Sequence, residues 1–144
     1  MKIFCVGIKG VGVINIASLY KEWGHEVLGS DTNEHFFTDA ILMRLSISVV
    51  SFDAELITAD ISFMVRSSAY GEDHPQVRRA KELGISVKTY SEALAEIFNT
   101  HKGILITGTH GKTTSTAMLG RVLEDAGFDP TVVVGGELVE WGTT

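Results

Sequence analysis

Short apolar runs alternate with longer amphipathic stretches along most of the chain. The apolar runs predict six β-strands, near residues 2–7, 25–29, 46–50, 61–65, 85–88 and 104–107. Between the first two strands, a helical stripe that ends at Gly24 is formed by Ile16, Leu19, Tyr20 and Trp23. Because strands that alternate with helices form parallel sheets, the pattern predicts an α/β domain with a parallel sheet.

Two further helices are indicated by the residues at their ends. Pro75 is suited to the first turn of a helix, and Gly84 is placed to stop that helix before the fifth strand. Thr89 and Glu92 have the spacing of a capping box, which predicts a helix that ends around Asn99.

A polar connection at residues 100–103 separates this region from a second unit. There an apolar strand leads into a glycine-rich loop, an amphipathic helix that closes at Gly127, and an apolar run at 132–134. We therefore expect one domain at residues 1–100 and the start of another at 103–144. A single βαβ unit has too few partners to bury its apolar faces, to which Trp141 adds, so we expect residues 103–144 to dock on the first domain or to form a homodimer.

The charge balance and composition exclude several classes of partner. The chain has 12 Lys and Arg against 18 Asp and Glu, a net charge of −6 over 144 residues. It has no run of like charges, so we expect no binding to nucleic acid or to a membrane surface. No apolar stretch approaches the ~20 residues of a membrane span, and Lys9 interrupts the N-terminal apolar run. We expect a cytoplasmic protein with its single cysteine, Cys5, buried and reduced.

The first glycine-rich loop, residues 7–12, follows the first strand directly. Gly7, Gly10 and Gly12 allow backbone amides to approach a phosphate at a helix N-terminus. Lys9 stands where a dinucleotide-binding fingerprint has its middle glycine, and Asp31 stands where a ribose-binding acid would lie. The loop is consistent with a nucleotide site or with a tight structural turn.

Two serines end another predicted strand at the same edge of the sheet. Ser67 and Ser68 follow the strand near 61–65, where ligands of doubly wound sheets gather. Their hydroxyls have two interpretations, bonding a phosphate or capping the segment that follows.

The second glycine-rich loop carries a more specific motif between an apolar strand and a helix. It consists of Gly108, Thr109, His110, Gly111, Lys112, Thr113 and Thr114. In a nucleoside triphosphate site, the glycines free the backbone to wrap phosphate oxygens, Lys112 reaches the β- and γ-phosphates, and Thr113 offers a hydroxyl to Mg²⁺. We interpret His110 as a residue that shapes the loop or contacts the substrate's edge.

Taken in this order, the two loops resemble the N-terminal part of the Mur ligases of bacterial cell-wall synthesis. The resemblance continues through 29–31, 67–69 and the stretch from Gly127 to Gly136. Within the family, the loop with His110 is similar to the form found in the branch that joins L-alanine, or a murein tripeptide, to UDP-N-acetylmuramate. The family loop usually reads Gly-Ile-Gly-Gly-x-Gly-Met, from which Lys9 and Val13 depart.

The resemblance implies an ATP- and Mg²⁺-dependent ligase that forms an acyl phosphate before the amide bond. It implies that residues 1–100 are a Rossmann-like domain that binds the UDP-sugar, and the candidate residues for that site are Gly7, Lys9, Gly10, Gly12, Asp31, Ser67 and Ser68. Lys9, which replaces a glycine of the family, either pairs with the diphosphate as a point charge or blocks it. The resemblance also implies that 103–144 begin the ATP-binding domain, with Lys112 as the catalytic residue and Thr113 as a Mg²⁺ ligand. We expect the 144 residues alone to bind UDP-sugar without catalysing ligation. An NAD-dependent oxidoreductase is the alternative from another class, and it rests only on the first loop and Asp31.

Overall fold

The computed structural model describes residues 1–135. Within them, eleven elements follow one another along the chain: β1 (Lys2–Val6), α1 (Val11–Glu22), β2 (Glu26–Ser30), α2 (Asp39–Arg44), β3 (Ser48–Val50), a 3₁₀ turn (Ala54–Leu56), β4 (Phe63–Arg66), α3 (Pro75–Glu82), β5 (Ser86–Thr89), α4 (Tyr90–Asn99) and α5 (Lys112–Asp125). The chain divides into two compact units, one ending at Thr100 and the other beginning at His101.

The first unit is a five-stranded sheet in the order β3-β2-β1-β4-β5, and all four strand pairings are parallel. This confirms the predicted α/β, Rossmann-like architecture. β1 lies at the centre of the sheet, and its residues Ile3, Cys5 and Val6 have no exposed surface. A strand covered on both faces is apolar throughout, and for this reason the apolar run 3–6 predicts a strand.

Apolar side chains cover both faces of the sheet. On one face α1 and α4 pack against the strands, around a fully buried set of Ile3, Ile8, Ile14, Ile16 and Ala17. On the other face α3 packs through Val77 and Ala80, together with Ile57 and Met64. Burial raises the pKa of the Cys5 thiol to about 12.

The predicted ends of the later helices are confirmed, whereas Trp23, predicted in the buried stripe of the first helix, follows α1 and is 41% exposed. Pro75 opens α3, Thr89 and Glu92 form a capping box at the start of α4, and α4 ends at Asn99. The short helix α2 was not predicted. It has six residues and buries only Ile41 and Leu42, so it presents too few turns to show a periodicity.

The second unit contains α5 in its described part. The predicted strands at 104–107 and 132–134 are wrong, because neither run is a strand in the structure. A strand forms only where a neighbour accepts its backbone hydrogen bonds, and the described residues of this unit supply no such neighbour. Residues 136–144, with which the expected second domain ends and which include Gly136 and Trp141, lie outside the described residues.

Candidate functional site

The strand order places the first loop at the point where the sheet connections reverse direction. β1 and β4 are neighbours, and the connections that leave them run to opposite sides of the sheet. Ligands of doubly wound sheets bind at this point, beyond the carboxyl ends of the strands. The loop after β1 and the loop after β4 therefore form the candidate site of the first unit.

Gly7 is held in a conformation and a space that exclude a side chain. Its φ is +76°, and a Cβ there would lie 2.6 Å from a ring carbon of Tyr70 and 2.8 Å from the Cβ of Ser67. Its amide donates to the carbonyl of Ser30 at 2.8 Å. The turn after β1 is thus pressed between the ends of β2 and β4, which fixes its shape.

Gly10 and Gly12 begin α1 and keep its N-terminus close to the sheet. Gly10 is the N-cap in an extended conformation without a side-chain cap, so the first-turn amides of α1 face the loop without a hydroxyl or carboxylate over them. A Cβ on Gly12 would lie 3.1 Å from the ring of Tyr90, the first residue of α4. The positive end of the α1 dipole and the first-turn amides of α1 favour an anion at this position.

Lys9 turns away from the loop and into the segment that follows β2. Its ammonium donates to the carbonyl of Glu34 at 2.7 Å and pairs with Asp39 at 3.2 Å, and its side chain is 9% exposed. Burial acts to raise the pKa of Asp39, but the amide of Phe36 and the Lys9 ammonium outweigh it and hold that pKa below its usual value.

Asp31 is a buried carboxylate whose oxygens are already hydrogen-bonded to the protein. Its two oxygens accept hydrogen bonds from the backbone amides of Lys9, at 2.7 Å, and of Thr32, at 2.8 Å. Burial raises the pKa of Tyr70, and the charge of Asp31 and its hydrogen bond with the phenol raise it further. Asp31 therefore joins the loops after β1, β2 and β4.

The two predicted serines have different surroundings. Ser67 lies in the loop after β4, where its amide donates to the carbonyl of Val6 at 2.9 Å and its hydroxyl accepts from Ala69 at 3.3 Å. That hydroxyl is 3.8 Å from the position of a Cβ on Gly10, so it faces the first loop. Ser68 is exposed on the turn that follows.

Sequence reasoning missed two residues that build this site. Tyr70 contacts Gly7 and Asp31, and its only sequence signal is its place three residues after Ser67. Gln76 is fully buried and joins the hydroxyl of Ser30, at 2.6 Å, to the carbonyl of Asp53, at 3.0 Å. A glutamine on a helix gives no periodic signal, so its role was not legible.

The second loop supplies an ammonium and a helix N-terminus. Gly108 and Gly111 have φ of +154° and +78°, and Lys112 begins α5. The Lys112 ammonium donates to the carbonyls of Gly108, at 2.8 Å, and Thr109, at 3.4 Å, which curls the side chain over its own loop.

All seven residues from Gly108 to Thr114 are exposed. The donors present here, an ammonium and first-turn amides, suit phosphate oxygens, and the two positive-φ glycines let the backbone turn around them. Thr113 lies in the first turn of α5 and is exposed. No three acidic, histidine or cysteine side chains cluster within residues 1–135, so the described region has no metal cage made of protein alone.

The first unit corresponds to a known family. The profile described as the Mur ligase family, catalytic domain, matches residues 2–102, which is more than half of the chain. The chain belongs to the Mur ligase family. This confirms the resemblance drawn from the two loops.

Curated relatives extend the similarity to the second unit. A UDP-N-acetylmuramate–L-alanine ligase of Desulfitobacterium hafniense is 44% identical over 144 residues, which is 99% of this chain and 32% of that protein. One from Lawsonia intracellularis is 42% identical over 97% of the chain and 31% of its own length. The chain thus spans about a third of the length of the relatives it matches.

Solved structures of two kinds of Mur ligase share the fold. The UDP-N-acetylmuramate-alanine ligase of Thermotoga maritima has a TM-score of 0.85 at 31% identity, over 97% of this chain and 33% of that one. A UDP-N-acetylmuramate:L-alanyl-γ-D-glutamyl-meso-diaminopimelate ligase of Neisseria meningitides also has a TM-score of 0.85, at 30% identity, over 99% and 45%. None of the helices within residues 1–135 has the length and apolar character needed to cross a bilayer.

Proposed function

We propose that the chain is the N-terminal part of an ATP-dependent ligase that joins L-alanine to UDP-N-acetylmuramate. The observation that carries this proposal is the 44% identity to a UDP-N-acetylmuramate–L-alanine ligase across 99% of the chain, both glycine-rich loops included. The first unit binds the UDP-sugar, and the second begins the part that binds Mg-ATP.

The first loop binds the diphosphate through backbone rather than through charge. The amides at the start of α1 are available because Gly10 carries no capping side chain, and the hydroxyl of Ser67 faces the same loop. Lys9 and Asp31 shape the site from outside, since their polar atoms are already bonded to the protein. Gly7 and Gly12 shape the loop after β1, and Ser68 lies in the loop after β4 that faces it.

The second loop binds the triphosphate. When ATP is present, the Lys112 ammonium exchanges its bonds to the Gly108 and Thr109 carbonyls for bonds to phosphate oxygens. The substrate carboxylate then attacks the γ-phosphorus and ADP leaves. The amine of the incoming amino acid attacks the resulting acyl phosphate, and inorganic phosphate leaves. Lys112 neutralises charge that builds up on the transferred phosphoryl group. Thr113 is the residue that would hold a Mg²⁺, which would supply further positive charge there. Gly111, Thr114 and His110 shape this loop.

Two alternatives compete with the proposal. A ligase for a murein tripeptide is supported by the equal TM-score of the Neisseria meningitides structure. An oxidoreductase is disfavoured by Asp31, because a buried carboxylate that accepts from Lys9, Thr32 and Tyr70 is poorly placed to receive a ribose hydroxyl.

Calorimetric titration with UDP-N-acetylmuramate, Mg-ATP and NADH tests these assignments. We expect heat from the first two ligands, and heat from NADH alone would overturn the proposal. Gly10→Asp keeps a favourable N-cap but puts a negative charge at the amides, so we expect UDP-sugar affinity to fall by about tenfold or more. Gly10→Asn is the neutral control of nearly equal shape, and we expect it to lose much less affinity.

A second pair of variants tests the triphosphate loop. Lys112→Ala removes the ammonium, so we expect the Mg-ATP heat to disappear while UDP-sugar binding is unchanged. Lys102→Ala removes another exposed lysine of the same unit and should leave both heats intact. Equal Mg-ATP affinity for Lys112→Ala and the wild type would contradict the role given to this lysine.

We further propose that the 144-residue polypeptide alone forms no amide bond and pairs with a second copy. Apolar side chains of the second unit support pairing, since Leu105, Met118, Val122 and Phe128 are each more than 60% exposed. Sedimentation over a range of concentrations tests the dimer, and a monomer at every concentration contradicts it. Amide formation from UDP-N-acetylmuramate, L-alanine and ATP would contradict the inactivity.

A further inference from the structure

Lys9 joins the first loop to a segment that the sheet does not hold. The segment is residues 31–39, which runs from the end of β2 to the start of α2. Within it, residues 33–37 are exposed and carry no helix or strand. Order in this stretch therefore depends on the side-chain and backbone contacts that it makes with its neighbours.

Lys9 makes three polar contacts with residues 34–39, besides the hydrogen bond from its amide to Asp31. The Lys9 ammonium binds the Glu34 carbonyl at 2.7 Å and Asp39 at 3.2 Å, while its own carbonyl accepts from the Thr38 hydroxyl at 2.8 Å. The ammonium also lies 5.7 Å from the centre of the Phe36 ring. Thr38 is fully buried, so its bond to Lys9 lies in a dry environment.

The geometry points to Lys9 as a positioning residue that holds the 31–39 segment beside the substrate loop and does not itself bind the diphosphate. This inference rests on the proposed function, because it takes the first loop as the UDP-sugar site. A lysine in a phosphate loop would ordinarily be assigned to the phosphate. Here the ammonium has an anionic partner and a carbonyl partner, and only 9% of the side chain is exposed.

The two roles predict opposite effects for the partner residue. If Lys9 bound the diphosphate, Asp39→Asn would release the ammonium and tighten UDP-sugar binding. If Lys9 is a positioning residue, Asp39→Asn and Lys9→Met both loosen the 31–39 segment, and both weaken binding by a similar factor, about fivefold. The double variant should then be no weaker than either single variant, since the two residues act through one contact.

Hydrogen exchange without ligand measures the positioning role directly. We expect amides of residues 34–39 to exchange about tenfold faster in Lys9→Met and in Asp39→Asn, with the amides of β1 unchanged. Lys2→Met and Asp60→Asn are the matched controls. Lys2 and Asp60 form an ion pair of 2.8 Å near the amino ends of β1 and β4, at the end of the sheet opposite to the first loop. They should leave exchange in residues 34–39 and UDP-sugar affinity as in the wild type.

The results separate failure of this inference from failure of the proposed function. Unchanged exchange in Lys9→Met, or tighter UDP-sugar binding by Asp39→Asn, overturns the positioning role even if the wild type binds UDP-sugar. If the wild-type protein does not bind UDP-N-acetylmuramate, the proposed function is overturned. The exchange data still decide whether Lys9 holds the 31–39 segment.

Discussion

Gly29 is a buried position in the sheet where a single added methyl group should destabilise the first unit. It lies buried in β2 opposite Cys5 of β1, and Ile8 packs over it. A Cβ added to Gly29 would lie 2.5 Å from Cδ1 of Ile8, 2.7 Å from Cβ of Ile8 and 2.8 Å from the Cys5 carbonyl oxygen. Gly29→Ala therefore tests how tightly the first loop is packed on the sheet.

The cost follows from which of these atoms can move. The Cδ1 of Ile8 can rotate away, but the Ile8 Cβ and the Cys5 oxygen move only with the backbone. The Ile8 Cβ, at 2.7 Å, is about 0.8 Å inside the ~3.5 Å at which nonbonded carbon contacts become favourable, and the Cys5 oxygen, at 2.8 Å, is also too close. Overpacking of this kind costs ~1–3 kcal/mol, and we expect Gly29→Ala near the upper limit because two of the contacts are anchored.

Urea and thermal denaturation, each followed by circular dichroism, measure this loss as a fall in the free energy of unfolding and in Tm. At ~4–8 °C per kcal/mol for a unit of about 100 residues, a loss of about 3 kcal/mol lowers Tm by about 12 °C or more. Gly24→Ala is the control, because Gly24 has a φ of +81° and open space around its Cβ position. It should lose only the cost of the left-handed conformation, about 1–2 kcal/mol.

A double variant identifies the source of the loss. Ile8→Ala alone leaves a cavity and should cost about 2–5 kcal/mol. In Ile8→Ala/Gly29→Ala the Cβ of residue 8 and the Cys5 oxygen are both still present, so we expect most of the Gly29→Ala loss to add to that of Ile8→Ala. A double variant as stable as Ile8→Ala, or a Gly29→Ala protein as stable as Gly24→Ala, would refute the assignment of the loss to the two anchored contacts.

Three further predictions concern the rest of the first unit. Thr89→Ala removes the capping box of α4 and should lower the free energy of unfolding by about 1 kcal/mol in urea titrations, whereas Thr89→Ser should not. The hydrogen bonds of Lys2 and Thr58 lower the pKa of Asp60 to about 2, so its stabilising effect is present above about pH 4 and is lost as the pH falls towards 2. The difference in unfolding midpoint between wild type and Asp60→Asn should shrink over that range and persist at pH 7. Cys5, buried with its thiol pKa raised to about 12, should react with iodoacetamide only as fast as the native state opens, and labelling at the rate of a free thiol would contradict this.

The first unit could be predicted from sequence because its signals are local. The central strands β1 and β4 are largely apolar and mostly buried runs, and the starts of α3 and α4 are specified by Pro75 and by the Thr89–Glu92 capping box. The same reasoning gave a strand at 104–107 that the structure does not contain. An apolar run reports a preference for burial, but it does not report whether another strand is present to pair with it.

The sequence predicts that the loops of the candidate site lie together, but it does not predict the contacts that each residue makes. The loops after β1 and β4 meet because parallel strands end at one edge of a sheet, which needs no knowledge of side chains. Tyr70 and Gln76 were not predicted, since each acts through a partner distant in sequence: Asp31 for the tyrosine, and Ser30 and Asp53 for the glutamine.

Lys9 shows why a motif position does not by itself give a function. From the sequence, a long cationic side chain stands where a fingerprint glycine would let a phosphate approach, which suggests either a new phosphate contact or a block. In the structure, its side-chain partners are the Glu34 carbonyl and Asp39, more than 20 residues away along the chain. Because the side chain leaves on the side of the 31–39 segment, the amides at the start of α1 keep their approach to an anion. Such a loop needs a glycine where another group lies against the backbone, as at Gly7. It tolerates a lysine where the side chain points away from the loop and the ammonium has partners elsewhere, as at Lys9.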